Sequence, residues 1–267
     1  MQAKPLHRDA IKSIAMFTML LNHIAVIFLP SDTLFAEVLV DVGYFTAVTM
    51  CFFLAEGYRY TRSKLRYGLR LALFALLSEF PFCLAFSPGA ALTFCGMNML
   101  FTLLLCFLLL VVREKVAHRP LRILLLLALV LLSVGSDWAL LAPIFTLLFA
   151  WAGTSRPRVR TAFLAAMLLF GLTSFAGGVG RFSPGRNLLA SLGCMAGIAL
   201  AGVAILCLYN GRRAQRGRRF FPVVLLPLLS PAPAPAGTPP ALPVTPPKTP
   251  ARPPKLLRGR AGVFSFF

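Results

Sequence analysis

Acidic residues are scarce in this chain: 8 Asp and Glu stand against 27 Lys and Arg over 267 residues, a formal charge of +19. Charge of either sign is also scarce, since 13% of residues are charged and 58% are hydrophobic, whereas a water-soluble domain carries about 25% charged residues. That balance excludes a soluble globular domain and makes lipid the solvent of the fold. The six cysteines form no Cys-x-x-Cys pair and have no His at ligand spacing, which excludes zinc-site and thiol-redox patterns. Cys51, Cys83, Cys95, Cys106, Cys194 and Cys207 therefore read as buried thiols in or beside apolar segments. No Ser-His-Asp order, nucleotide fingerprint or Cys-His nucleophile pattern occurs, and the stretch Gly177-Gly178-Val179-Gly180 lacks the Lys-Ser/Thr of a phosphate loop. The positive balance would fit nucleic acid, but the basic residues fall between apolar runs instead of forming one stripe. No nucleic-acid partner is expected.

What is present is a series of apolar runs bounded by Pro, Gly and charge. They predict eight spans, at 11–29, 38–57, 68–86, 97–112, 120–134, 138–152, 161–176 and 188–209. The N-terminal run has a basic start but is interrupted by Asn22 and His23 and lacks a small-residue cleavage site. It reads as a retained first span, not a signal peptide. Segments 121–134 and 138–151 would alternatively form a re-entrant pair, but backbone groups at membrane depth must be satisfied internally, which favours two helices. Alternate loops then separate by charge. Lys4 to Lys12, Arg59 to Arg70, Arg113 to Arg122, Arg156 to Arg160 and Arg212 to Arg219 place 20 basic side chains on one side, against Arg181 and Arg186 on the other. Lys and Arg accumulate on the cytoplasmic face. The expectation is an all-α polytopic transmembrane helix bundle of about eight spans, both termini cytoplasmic, in the inner (plasma) membrane.

Composition changes after Phe221. Residues 222–267 hold 13 of the 21 prolines and no acid, so this segment is expected to be a disordered Pro-rich tail following a membrane domain over 1–221. Two origins fit it: a native tail, or an out-of-frame reading of the gene's last segment.

Ionisable groups inside spans are costly and therefore candidates for function. His23 and Glu79 each lie about eleven residues into spans that cross in the same direction, about 17 Å along a helix. If they face each other, Glu79 would orient the imidazole and His23 would take a proton from an acceptor amine or hydroxyl. The competing readings are a helix-linking His23 and a protonated Glu79 satisfying the kink at Pro81. Asp41, Asn98 and Asp137 lie at outer span ends and would extend a polar outer half or be solvated helix ends; Asp137 before Trp138 also reads as an N-cap beside an interfacial aromatic. Glu56, Arg59 and Arg62 lie at the basic end of the second span, either as a topology anchor on anionic lipid or as an anion site for a phosphate-bearing donor.

Several phrases resemble the TraX family of integral membrane proteins. They are Met19-Leu20-Leu21-Asn22-His23-Ile24, the run from Phe53 to Arg62 containing Leu54-Ala55-Glu56-Gly57-Tyr58-Arg59, Leu69-Arg70-Leu71 leading into Ser78-Glu79-Phe80-Pro81-Phe82, Asn98-Met99-Leu100-Phe101-Thr102-Leu103, and Ser136-Asp137-Trp138. The resemblance covers about residues 10 to 221 and implies a membrane acetyltransferase related to broader membrane acyltransferases, with acetyl-coenzyme A as donor. The implied acceptor is membrane-associated, such as a pilin N-terminus in a conjugation system. It makes His23 the candidate base and places Glu56 with Arg59 and Arg62, and Glu79 with Asn98, at family motif positions without assigning their roles. Read with their positions in the spans, Glu79 is the second catalytic candidate and Glu56, Arg59, Arg62, Asn98 and Asp137 the candidate donor or substrate contacts. Three departures stand out. Asn22 replaces an Asp before the His, Gly43-Tyr44 replaces an Arg, and the Pro-rich segment follows Tyr209-Asn210-Gly211-Arg212-Arg213 where the family continues into a Phe-rich span. The alternatives from other classes are a proton-coupled small-molecule transporter using Glu79 and His23, and a non-catalytic membrane scaffold.

Overall fold

The computed structural model describes residues 5–30, 33–86 and 96–211. Asp32, Cys95, the basic residues from Arg212 to Arg219 and the Pro-rich segment 222–267 lie outside the described residues. Among the described residues eight α-helices fall on the eight apolar segments: α1 (Arg8–Phe28), α2 (Leu34–Tyr60), α3 (Lys64–Phe86), α4 (Met99–Lys115), α5 (Arg119–Leu132), α6 (Leu141–Ala152), α7 (Arg156–Gly178) and α8 (Pro184–Val203). The last continues as a π-helical turn over Ala204–Leu208. Among the described residues no strand occurs, only isolated bridges joining Leu6 to Tyr209 and Met97 to Ser136.

Local chemistry explains the boundaries. The Thr33 hydroxyl accepts the Ala36 N–H at the start of α2, and proline occupies the first turn of α5, α7 and α8, where its missing N–H costs nothing. Asp137 is not the N-cap of α6, contrary to the sequence reading. That position falls to Leu140, at φ 56°, with Trp138 at φ 62° just before it, and the Leu140 N–H is taken by the Ser133 hydroxyl at 3.3 Å. Trp138 does not face outward: it is buried, stacked on Phe170 at 5.1 Å with Tyr44 edge-on at 5.7 Å. Two non-glycine residues in the left-handed region within one turn mark strain that packing must hold.

Among the described residues five helices are long and apolar enough to cross a membrane: α1, α2, α3, α7 and α8 with its π turn. The helices α4, α5 and α6 have 17, 14 and 12 residues, and α6 rises about 18 Å against a hydrocarbon core of about 30 Å. The bundle is organised around α2, which packs against α1, α4, α6 and α8, and α3 lies on α4. Small residues set the closest approach. A Cβ on Gly197 would come within 2.0 Å of the Asp41 carbonyl oxygen, so the Gly193-x-x-x-Gly197 face lets α8 meet the α2 backbone directly. Along α1, the Thr46 hydroxyl donates to the Ala15 carbonyl at 2.6 Å, and the Asn22 amide donates to the Val40 carbonyl at 3.1 Å. The outer helices show the opposite pattern: α5 buries no side chain, and Leu65, Leu76 and Phe80 of α3 stand exposed. Large apolar faces of this kind belong against lipid. Cys51, Cys106 and Cys194 are buried as expected, but Cys83 is only partly buried and Cys207 is exposed.

Candidate functional site

Two polar regions interrupt the apolar bundle. The first lies where the basic loops gather, at the start of α1 and α7 and the ends of α2, α6 and α8. There the helix ends enclose a cavity of about 360 Å³ bordered by Glu56, Arg59, Gly153, Arg156, Leu206 and Tyr209, within the range of small-molecule pockets. Its apolar wall includes Phe52 and Phe149, which meet edge to face at 5.5 Å.

Glu56 is gripped from two sides. Arg8 Nη2 lies 3.3 Å from Glu56 Oε2 and donates to the Phe53 carbonyl at 3.1 Å, while the Tyr209 hydroxyl is 3.0 and 3.1 Å from the two carboxylate oxygens. Arg8 is only 6% exposed. Gly57 leaves it room, because a Cβ there would sit a tight 3.1 Å from Arg8 Nη2. Arg8 Nε is buried without a hydrogen-bond partner among the described residues. Facing both carboxylate oxygens, the Tyr209 hydroxyl serves as a donor, not a base.

The π turn shapes the same wall. The Tyr209 N–H reaches back to the Ala204 carbonyl at 2.9 Å, and the Leu206 carbonyl, open because the Asn210 N–H goes to Leu6, accepts from Arg156 Nη2 at 2.8 Å; such π turns recur at functional sites. Leu6 clasps the end of this turn, donating to the Leu208 carbonyl at 3.0 Å and accepting from the Asn210 N–H at 2.9 Å. Arg59 stands over the α6–α7 turn, its Nη2 3.6 Å from where a Cβ on Gly153 would be. Arg62, expected beside it, is exposed beyond the end of α2 and does not border the cavity; Arg156 does.

The second region joins α3, α4 and the turn before α6. Asn98 caps α4 by accepting the Leu100 and Phe101 N–H groups at 2.9 and 3.1 Å. Its amide donates to Glu79 Oε2 at 2.6 Å and to the Ala75 carbonyl at 2.9 Å, and its backbone N–H donates to Glu79 at 3.1 Å. Cys83 lies 3.6 Å from the other Glu79 oxygen. The bonds of Glu79 thus run to Asn98 and Cys83. The Thr102 hydroxyl reaches the Ser136 hydroxyl at 3.1 Å and the Asp137 carbonyl, and the Asp137 N–H donates to the Met97 carbonyl at 2.8 Å. Burial pushes the Asp137 carboxyl up to about 7. Glu79, Asn98 and Asp137, far apart in sequence, therefore share one neighbourhood.

His23 lies elsewhere. It is half-buried on α1, and its neighbour Asn22 reaches the Val40 carbonyl and fills the space over Gly43, which sets His23 at the level of Asp41 on α2. Asp41 in turn lies 3.9 Å from the Cys194 thiol. Among the described residues no hydrogen bond or ion pair is found between His23 and Glu79, whose helices pack chiefly against α2 and α4 respectively. The sequence reading missed Arg8, Arg156 and Tyr209 as site residues, since each passed as a loop charge or part of a basic phrase. The usable signal was Glu56 itself, a carboxylate at a basic helix end that requires partners.

An all-helical membrane protein with a polar cavity at one end of its bundle is the class these features define. Residues 7–226 match the family model described as TraX protein, and the chain belongs to that family. It is 35% identical over 164 residues to the probable fimbrial assembly protein FimC, serogroup H1, of Dichelobacter nodosus, a match covering 59% of this chain and 67% of that protein. No solved structure matches the chain.

Proposed function

We propose that this protein is a multi-pass inner-membrane acetyltransferase that moves an acetyl group from acetyl-coenzyme A to a membrane-associated acceptor such as a pilin N-terminus. In this reading all eight helices cross or enter the bilayer, with both termini and the cavity on the cytoplasmic side. Family membership and the relative's description as a fimbrial assembly protein support a pilus-related role. The observation that carries the reading is the cavity at the basic end, with two arginines on its border and Glu56 already neutralised. These residues fit an anionic donor. When bound, that donor supplies an acetyl group activated as a thioester.

The remaining work falls to the chain. Arg59 and Arg156 hold the donor at the cavity, Tyr209 keeps the Glu56 carboxylate from repelling it, and His23 removes the proton from the acceptor amine. Arg8 and His23 are separated by about 22 Å of helix rise on α1, so donor recognition and proton removal are assigned to opposite halves of the bundle. Glu79, Asn98 and Asp137 line the outer half and position the acceptor. The test is acetyl transfer from labelled acetyl-coenzyme A to a pilin N-terminal peptide by the full chain in proteoliposomes. His23→Ala is expected to lower turnover by about 100-fold or more, and unchanged transfer overturns the assignment. Accumulation of a solute driven by a proton gradient, without donor consumption, would instead establish the transporter reading.

A further inference from the structure

We infer that Arg59 and Arg156 form a two-armed clamp for a phosphate or pyrophosphate group at the mouth of the cavity, built from the last turn of α2 and the first turn of α7. The physiological ligand rests on the acetyltransferase reading, whereas the anion chemistry stands on the charges of the cavity alone. Three charged side chains border it, Glu56, Arg59 and Arg156. Glu56 is matched by Arg8 at 3.3 Å and by the Tyr209 hydroxyl at 3.0 Å, so its negative charge is compensated within the protein. Neither Arg59 nor Arg156 has an acidic partner among the described residues. The cavity is therefore left with two uncompensated guanidinium groups, and a cavity of one sign raises the local concentration of the opposite ion.

Both arms rise from helix ends at the cavity border. Arg156 is tethered by the 2.8 Å bond from its Nη2 to the Leu206 carbonyl, one of the carbonyls left open where the helix ends at Leu208. One bond leaves most of the guanidinium's five N–H donors for a ligand. Arg59 projects from the end of α2 over Gly153, three residues before Arg156, so the two arms straddle the α6–α7 turn. Planar forks match the tetrahedral oxygens of a phosphate better than an ammonium does. A lipid phosphate headgroup and the phosphates of a soluble donor share this chemistry.

The test is isothermal titration of the full chain, in phosphatidylcholine nanodiscs, with inorganic pyrophosphate. Wild type is expected to bind at millimolar concentration or below, Arg59→Gln and Arg156→Gln each to weaken binding by about tenfold or more, and Arg158→Gln to leave it unchanged. Arg158 shares the loop but lies over Trp151, outside the cavity border. Thermal unfolding checks that each variant is folded, and Arg156→Lys, which keeps the charge but loses the fork, is expected to bind between wild type and Arg156→Gln. Absence of wild-type binding, or equal loss in Arg158→Gln and Arg156→Gln, overturns the clamp. Repeating the titration in phosphatidylglycerol nanodiscs identifies the source: loss of pyrophosphate binding there assigns the clamp to a lipid headgroup, and retention assigns it to a soluble phosphate. Arginine-dependent pyrophosphate binding without acetyl transfer would keep the clamp and remove the acetyltransferase reading. Acetyl transfer with an unchanged KM for acetyl-coenzyme A in both Gln variants would do the reverse.

Discussion

Arg8, in the first turn of α1, meets Glu56, near the end of α2, across 3.3 Å in a setting where Arg8 is almost fully buried. The pair ties the start of the bundle to its central helix, and Tyr209 brings the end of α8 to the same carboxylate. Removing one partner of a buried pair leaves an uncompensated charge, at a cost of about 3–5 kcal/mol, whereas removing both is much milder. Arg8→Met is therefore expected to lower the thermal unfolding temperature in detergent more than the double substitution Arg8→Met with Glu56→Met. Additive losses would show that the two side chains act separately.

Tyr209→Phe tests the third member of this group. Loss of hydrogen bonds to an ionised acceptor costs about 1.5–3 kcal/mol, with the ring's edge contact to Phe53 at 5.5 Å retained. The variant should be folded and less stable, and weaker in pyrophosphate binding because Glu56 then presents more of its charge to the cavity. Unchanged stability would place the phenol outside the Glu56 network.

Gly197 and Gly185 make a matched pair. Gly197→Ala drives a methyl to within 2.0 Å of a backbone oxygen, while nothing lies within 4 Å of a Cβ on Gly185. Overpacking of this kind costs about 1–3 kcal/mol, so Gly197→Ala is expected to lower the unfolding temperature and Gly185→Ala to leave it near that of wild type. Equal effects would mean that α2 and α8 do not meet as closely as described.

Asn98→Ala removes a helix cap and the amide that holds Glu79. The cap alone contributes about 1 kcal/mol, and leaving Glu79 without its partner adds to the loss. Glu79→Gln with Asn98 intact should recover most of the stability, because a neutral amide oxygen still accepts the Asn98 N–H groups. Unfolding temperatures of the two variants decide this; equal destabilisation would show that the negative charge of Glu79, and not its oxygen, is what Asn98 requires.

Asp137 predicts a pH dependence. Its carboxyl titrates at about 7 in the folded chain against an ordinary value of 3.8, so between those values the folded state binds the extra proton and the unfolded state does not. Its contribution to stability is then fullest below about pH 4, declines as pH rises to about 7 and is absent above. Asp137→Asn should flatten that part of the stability profile and raise the unfolding temperature at pH 8. A variant profile parallel to wild type from pH 4 to 8 would mean that Asp137 does not titrate in this range.

The eight helices, their order and the gathering of basic residues at one end were legible in the sequence, because apolar runs long enough to bury themselves in lipid can satisfy their backbones only as helices. Five helices of spanning length among the described residues follow from the same runs. Asn98 as a polar helix end and Glu56 as a carboxylate among arginines were also visible as single residues. What the runs do not encode is which faces meet. Glu56, Arg156 and Tyr209 lie far apart in sequence, and only the packing of α8 on α2 and of α7 on α8 brings them to one cavity, with Arg8 of α1 behind Glu56, just as Asn98 joins Glu79 only because α3 lies on α4. Hydrophobicity in a membrane is nearly the same on every face of a helix, so it selects helices without selecting partners. Partners are chosen by small residues such as Gly197, by hydrogen bonds such as that from Asn22 to Val40, and by the need of each buried charge for a counterpart, which only the tertiary structure supplies.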